Sequence, residues 1–159
     1  MNKYIGCKMV SAEPAFQLDG VIHPIEDMQL LFEHEKEKAK VGYKIEYPDG
    51  YISWSPKDVF EKAYMKLEDN KELPSGVSIG EKMVNEFIAI VDTKTMGDRT
   101  TVVMCTLRNG FIITESSSCV DPANYSQKIG EEICMGKIKD KIWELLGFLL
   151  QTAVNGVNN

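Results

Sequence analysis

The dipeptide Asn109-Gly110 lies between two apolar, β-branched runs, TTVVMCTLR and FIITES, and restricts the fold more than any other feature. Asn-Gly flanked by alternating hydrophobic residues is the strongest short-range hairpin signal. A two-residue loop there sets Arg108 opposite Phe111, Leu107 opposite Ile112 and Thr106 opposite Ile113. Side chains alternate across a sheet. Val103, Cys105, Leu107 and Ile112 then share the expected core face, and Met104, Thr106, Arg108, Phe111, Ile113 and Glu115 share the other. An aromatic ring, a guanidinium, a hydroxyl and a carboxylate on one face suit either a binding surface or an ordinary half-solvated one.

On both sides of this hairpin the pattern turns helical. Ser78 and Glu81 read as a capping box, and Ile79, Met83, Phe87 and Ile90 follow at helical spacing. A loop over Thr93 to Asp98 leads into the hairpin. Beyond it, Asp121-Pro122 starts a long helix. Its apolar stripe runs through Tyr125, Ile129, Ile133, Ile138, Ile142, Leu145, Leu146 and Leu149. Trp143 and Leu150 widen that stripe beyond one face, so a homo-oligomer, a dimer or higher, is expected.

The polar stretch LEDNKELPSGVS, Leu67 to Ser78, reads as a linker. It divides the chain into an N-terminal module, residues 1–70, and a C-terminal module, residues 77–155. In the first, the alternation in Lys3 to Ser11 predicts a strand, and Glu26 to Lys40 a solvated helix or insert. GYKIEYPDGYISW predicts a second hairpin, with Gly50 closing a three-residue loop. Ser55 then caps a helix begun by Pro56, with Asp58 reaching back. The fold class is therefore α+β: two small modules, each an antiparallel hairpin or sheet with helices, the second ending in a long helix.

Charge narrows the function. The 159 residues carry a formal charge of -6, with -4 on residues 1–76 and -2 on 77–159. Duplex nucleic acid is disfavoured as a ligand, because it needs clustered cations. Only two of the 18 basic residues are arginine, Arg99 and Arg108. Arginine suits phosphate recognition better than lysine. No apolar run approaches the ~18 residues that span a membrane. Lys3 is followed only by Tyr4 and Ile5 before polar residues return, so no signal peptide is expected. The four cysteines form no CxxC pair, and the two histidines lie far from three of them. Neither a metal centre nor a cofactor is expected, and no base–nucleophile pair marks an enzyme. The expected compartment is the cytoplasm.

The segments TLRNGFIITESSSCVDPANY and IGEEICMGKIKDKIWELLGFLL, taken in this order, resemble a family of small phage proteins. That family includes the first-described Thoeris anti-defence proteins. The resemblance covers about half the chain. It implies a sponge that binds the cyclic ADP-ribose isomer made by bacterial TIR-domain proteins, and for some members cyclic oligonucleotides, without cleaving it. It also implies dimers or higher oligomers in the host bacterial cytoplasm, with ligands near the GF and DPANY segments and the basic residues of the late helix. KYIGCKMVSAEPA and GYKIEYPDGYISWSPKDVFEKAY resemble a separate module common in small phage proteins.

Such a ligand needs a stacking surface, phosphate donors and exclusion of water. Phe111 and Tyr125 can stack, Arg108 can fork onto phosphate, and Arg99, Lys137 and Lys141 add charge. Asn124 can read an adenine edge. The helix start at Asp121 to Asn124 offers backbone N–H groups, although the Asp121 carboxylate repels phosphate. Each of these residues also has a plain role in packing, capping or solvation. The alternative reading is an acidic phage inhibitor of a host protein, with Tyr43, Tyr47, Tyr51 and Trp54 as anchors.

Overall fold

A computed structural model describes residues 1–157. It is an α+β structure in two compact units: residues 1–66 with 153–157, and residues 67–152.

In the first unit, residues 1–10 form no helix or strand, contrary to the alternation in Lys3 to Ser11. The first strand, β1, is Ser11–Leu18, followed by β2, Val21–Pro24. Asp19 and Gly20 both have positive φ, at 49° and 85°. That is the two-residue turn that matches strand twist. β3, Lys40–Glu46, and β4, Ile52–Pro56, complete an antiparallel sheet of order β2-β1-β3-β4. Their loop closes as expected: Tyr47 and Gly50 donate backbone bonds to Tyr51 and Tyr47, each 2.9 Å, and Gly50 takes φ 82°. The solvated helix expected over Glu26 to Lys40 is instead a 3-10 turn, Ile25–Leu30, and a single-turn helix α1, Glu33–Lys36. Ser55 does not cap the next helix. It pairs with Tyr43 inside β4, and α2, Lys57–Ala63, begins after Pro56.

In the second unit, the expected linker folds as a small ribbon, with β5, Glu68–Asp69, paired to β6, Val77–Ser78. Ser78 is therefore strand, and Gly80 precedes α3, Glu81–Phe87. The helical stripe ends there. Ile88–Met96 is a strand, β7, where helix and then loop were expected. With β8, Thr100–Leu107, and β9, Ile112–Ser118, it makes a sheet of order β7-β8-β9.

The central hairpin forms, but its register differs from expectation. Thr106 pairs with Ile112 and Cys105 with Ile113. The loop is therefore three residues, Arg108 to Gly110, closed by 2.8 Å bonds from Leu107 to Phe111 and from Gly110 to Leu107. Only Gly110 has positive φ. A two-residue turn of the matching type needs positive φ at both positions, which Asn109 does not adopt. One residue of slip inverts every side chain on β9. Ile113 is 4% exposed and Ile112 54%, the reverse of the expectation.

A long helix, α4, Gln127–Asn155, covers the core face of this sheet. It starts later than Asp121-Pro122, which instead begin a 3-10 turn, Pro122–Asn124. Its buried residues, Gly130, Cys134, Ile138, Ile142 and Leu146, recur every four positions. They form the row that slowly winds round a 3.6-residue helix. Against them lie Thr101, Val103, Cys105, Leu107 and Ile113, all buried. No helix among the described residues is long and apolar enough to cross a membrane.

Candidate functional site

The three-stranded sheet brings some expected site residues together and separates others. The β7–β8 end carries Arg99, Asn124 and Tyr125. The loop before β8 is Gly97 to Arg99, with Gly97 at φ 66°. The Arg99 guanidinium donates to the Val120 carbonyl at 3.1 Å, and its Nε lies 3.7 Å from the Asp98 carboxylate. The Arg99 carbonyl accepts from the Cys119 N–H at 3.0 Å. These bonds tie the arginine to the end of β9.

Hydroxyl groups lie at the same end, Thr100 and Ser118 on one face of the sheet and Thr95 and Thr101 on the other. Thr100 and Ser118 pair across the strands at 2.9 Å. The Tyr125 hydroxyl lies 2.7 Å from Thr95 Oγ1 and 3.0 Å from Thr101 Oγ1. Thr95 and Thr101 are cross-strand partners, so the sheet register itself places both oxygens for the phenol. Asp121 accepts from the Ala123 N–H at 2.9 Å and holds the Pro122–Asn124 turn. Asn124 and Tyr125 follow directly from that turn. The end is thus a cation, a fixed aromatic ring, an exposed amide and a group of hydroxyls, which is suited to a polar ligand that carries phosphate and a base.

Arg108 and Phe111 lie at the opposite end. The Arg108 N–H donates to the Phe87 carbonyl at 2.9 Å, and Asn109 Oδ1 accepts from the Phe111 N–H at 3.0 Å. Phe111 is exposed. The length of β8 separates this pair from Tyr125, about 23 Å at strand rise. Within one chain the two groups cannot touch one small ligand.

Lys137 and Lys141 lie between the ends. Lys137 Nζ donates to the Ser116 carbonyl at 3.0 Å and so covers the outer edge of β9. Lys141 binds the Glu115 carboxylate. That bond, helped by the charges of Lys141 and Lys137, holds the Glu115 carboxyl below the usual carboxylate range despite partial desolvation. Glu115 therefore belongs to the helix-covered face, not to the face expected for it with Arg108 and Phe111. The buried thiols of Cys105 and Cys134 are pushed up by desolvation.

The aromatic residues of the first unit largely engage each other. Phe60 stacks between Tyr43 and Tyr64, with ring centroids 4.2 and 4.7 Å away. Tyr43 also donates to Glu61 at 3.0 Å, which raises the phenol pKa. Trp54 lies against Gly42, and Tyr51 remains exposed. A cavity of about 280 Å³ is lined by Glu13, Ala15, Ile22, His23, Pro24, Lys44 and Ile52 of the same unit.

Thr95 and Thr101 were not legible as site residues, because their pairing depends on β7, nor were Thr100 and Ser118, because their pairing depends on the β8–β9 register. The alternation of Ile90, Asp92 and Lys94 against Val91, Thr93 and Thr95 was the available signal. Among the described residues, no group of three or more His, Cys, Asp or Glu could hold a metal ion.

Residues 79–154 match the model of the Phage protein (N4 Gp49/phage Sf6 gene 66) family. The matched segment spans α3, the three-stranded sheet and nearly all of α4, so this module is similar to small phage proteins. No curated protein and no solved structure matches the chain.

Proposed function

We propose that this is a phage anti-defence protein that binds a small immune nucleotide and holds it intact. The ligand class is the cyclic ADP-ribose isomer of bacterial TIR signalling, with cyclic oligonucleotides as further candidates. The observation that carries this reading is the Arg99–Tyr125 end of the sheet. Arg99 supplies a guanidinium fork for pyrophosphate. Tyr125, held by Thr95 and Thr101, supplies a ring of fixed orientation for a base. Asn124 has the amide to read an adenine edge, and Lys137 adds a second cation along β9. The match of residues 79–154 to a phage family supports the phage setting.

The test is sequestration. The protein is incubated with the TIR-derived cyclic nucleotide, passed over a sizing column and then heated. The expected result is ligand in the protein fraction that is released chemically unchanged. Ligand that elutes apart from the protein contradicts binding, and a converted product contradicts storage.

A second reading, a host-protein inhibitor, has one observation in its favour. The uncovered face of the sheet lines up Ile90, Thr106 and Ile112 across the strands, with Met104 in the next row. Ile90 and Ile112 are 63% and 54% exposed, and such a patch suits a protein partner. Replacing both isoleucines by serine should abolish capture of a host protein and spare nucleotide retention.

A further inference from the structure

One face of the four-stranded sheet lies under α2, where Phe60 stacks on Tyr43. The neighbours of Tyr43 in β3, Gly42 and Lys44, belong to the other face. On that face cross-strand pairing sets Ala15 between Pro24 and Gly42, and Glu13 beside Lys44. Ala15 carries one methyl group and Gly42 no side chain. The Trp54 indole takes the space over Gly42, 2.9 Å from where its Cβ would stand. A hollow is left over Ala15. It is the cavity of about 280 Å³, with Ile22 and Pro24 on its β2 side and Lys44 and Ile52 on its β3 and β4 side.

Lys44 Nζ donates to Glu13 Oε1 at 2.9 Å beside this hollow. The lysine and glutamate side chains remain 39 and 64% exposed, and an exposed pair contributes little to stability. Their bond uses one of the three ammonium donors and one of about four acceptor sites on the carboxylate, so both groups can take a further partner. The charges decide the ligand class. A phosphate or other simple anion drawn to Lys44 meets the Glu13 carboxylate, and a simple cation drawn to Glu13 meets the ammonium. A ligand with both charges on neighbouring atoms satisfies the two at once. The volume lies just under the range of about 300–1,000 Å³ that holds drug-sized ligands, so the ligand is smaller than a nucleotide. The walls are aliphatic, so it also carries a short apolar group.

We propose that this hollow binds a free α-amino acid with an aliphatic side chain. The ligand carboxylate meets Lys44, its ammonium meets Glu13, and its side chain lies on Ala15, Ile22, Pro24 and Ile52. A residue within a peptide lacks both charges and does not qualify. The site lies in the first unit, outside the residues that match the phage family, and it does not depend on the nucleotide reading.

The full chain, with its isoleucine methyl groups labelled, is titrated with L-leucine and followed by NMR. The expected result is saturable shifts at Ile22 and Ile52. N-acetyl-leucine lacks the ammonium and leucinamide lacks the carboxylate, and each should bind about tenfold or more weakly. Glycine keeps both charges without the side chain and should also lose about tenfold or more. Glu13→Gln, at an exposed site, should keep the circular dichroism spectrum and remove the preference for leucine over N-acetyl-leucine. No saturable shift with leucine overturns the proposal, as do shifts that leave out Ile22 and Ile52. Equal affinity of the parent chain for leucine and N-acetyl-leucine, or a preference that Glu13→Gln leaves intact, overturns the role of the ion pair.

Discussion

Gly130 and Thr101 meet where α4 crosses the start of β8. A Cβ at Gly130 would fall 2.2 Å from Thr101 Oγ1. Thr101 is wholly buried and is bound to Tyr125, so it has little room to retreat. Alanine gains about 1 kcal/mol in helix propensity over glycine, but overpacking a core costs typically about 1–3 kcal/mol. The contact is short enough for the cost to win. Gly130→Ala should lower the melting temperature, and Thr101→Ala in the same chain should recover part of the loss, a non-additivity expected of touching residues. A second residue-scale prediction concerns pH. Lys141 depresses the Glu115 pKa in the folded state, so between the folded and unfolded values the unfolded chain binds more protons. The stabilisation is present above the ordinary carboxylate range and is lost as pH falls through the depressed value. Chemical denaturation at a series of acid pH values should show this decline, and Glu115→Gln should flatten it.

At the scale of elements, the same kind of dipeptide makes two different turns. Asp19-Gly20 closes a two-residue hairpin with both residues at positive φ, whereas Asn109-Gly110 is part of a three-residue loop with only the glycine there. Local sequence allows both, and strand register decides between them. In β9 the burial of Ile113 and the ion pair of Glu115 with Lys141 select the longer loop. Gly110→Ala should therefore cost about 1–2 kcal/mol, the penalty of the left-handed region, as read from the denaturation midpoint. The face of β8 was legible, because Val103, Cys105 and Leu107 alternate with polar or less buried neighbours. The β9 face was not, since Ile112 and Ile113 are adjacent and either can point inward. β7 was missed because Ile90 continues the spacing of Met83 and Phe87. Ser55 and Ser78 look like caps, but the sheets claim both as strand residues. Of the expected site, Arg99 reaches Val120 and Tyr125 reaches Thr95 and Thr101, and only the Thr95 contact depends on β7.

At the scale of the molecule, a formal charge of -6 disfavours a long polyanion, whose affinity accumulates over many phosphate contacts. It leaves room for one small phosphorylated ligand, which needs only a local cation. The chain supplies two arginines, at opposite ends of one sheet, and the hydroxyl groups and the fixed tyrosine accompany only Arg99. The account therefore depends most on that residue. The most direct test is calorimetric titration of the TIR-derived cyclic nucleotide into the full chain and into Arg99→Ala. A charge-assisted hydrogen bond contributes about 1.5–3 kcal/mol, so the account predicts saturable binding that Arg99→Ala weakens by about tenfold or more, with the circular dichroism spectrum unchanged. Absence of binding to the full chain, or equal affinity in the two, would contradict it.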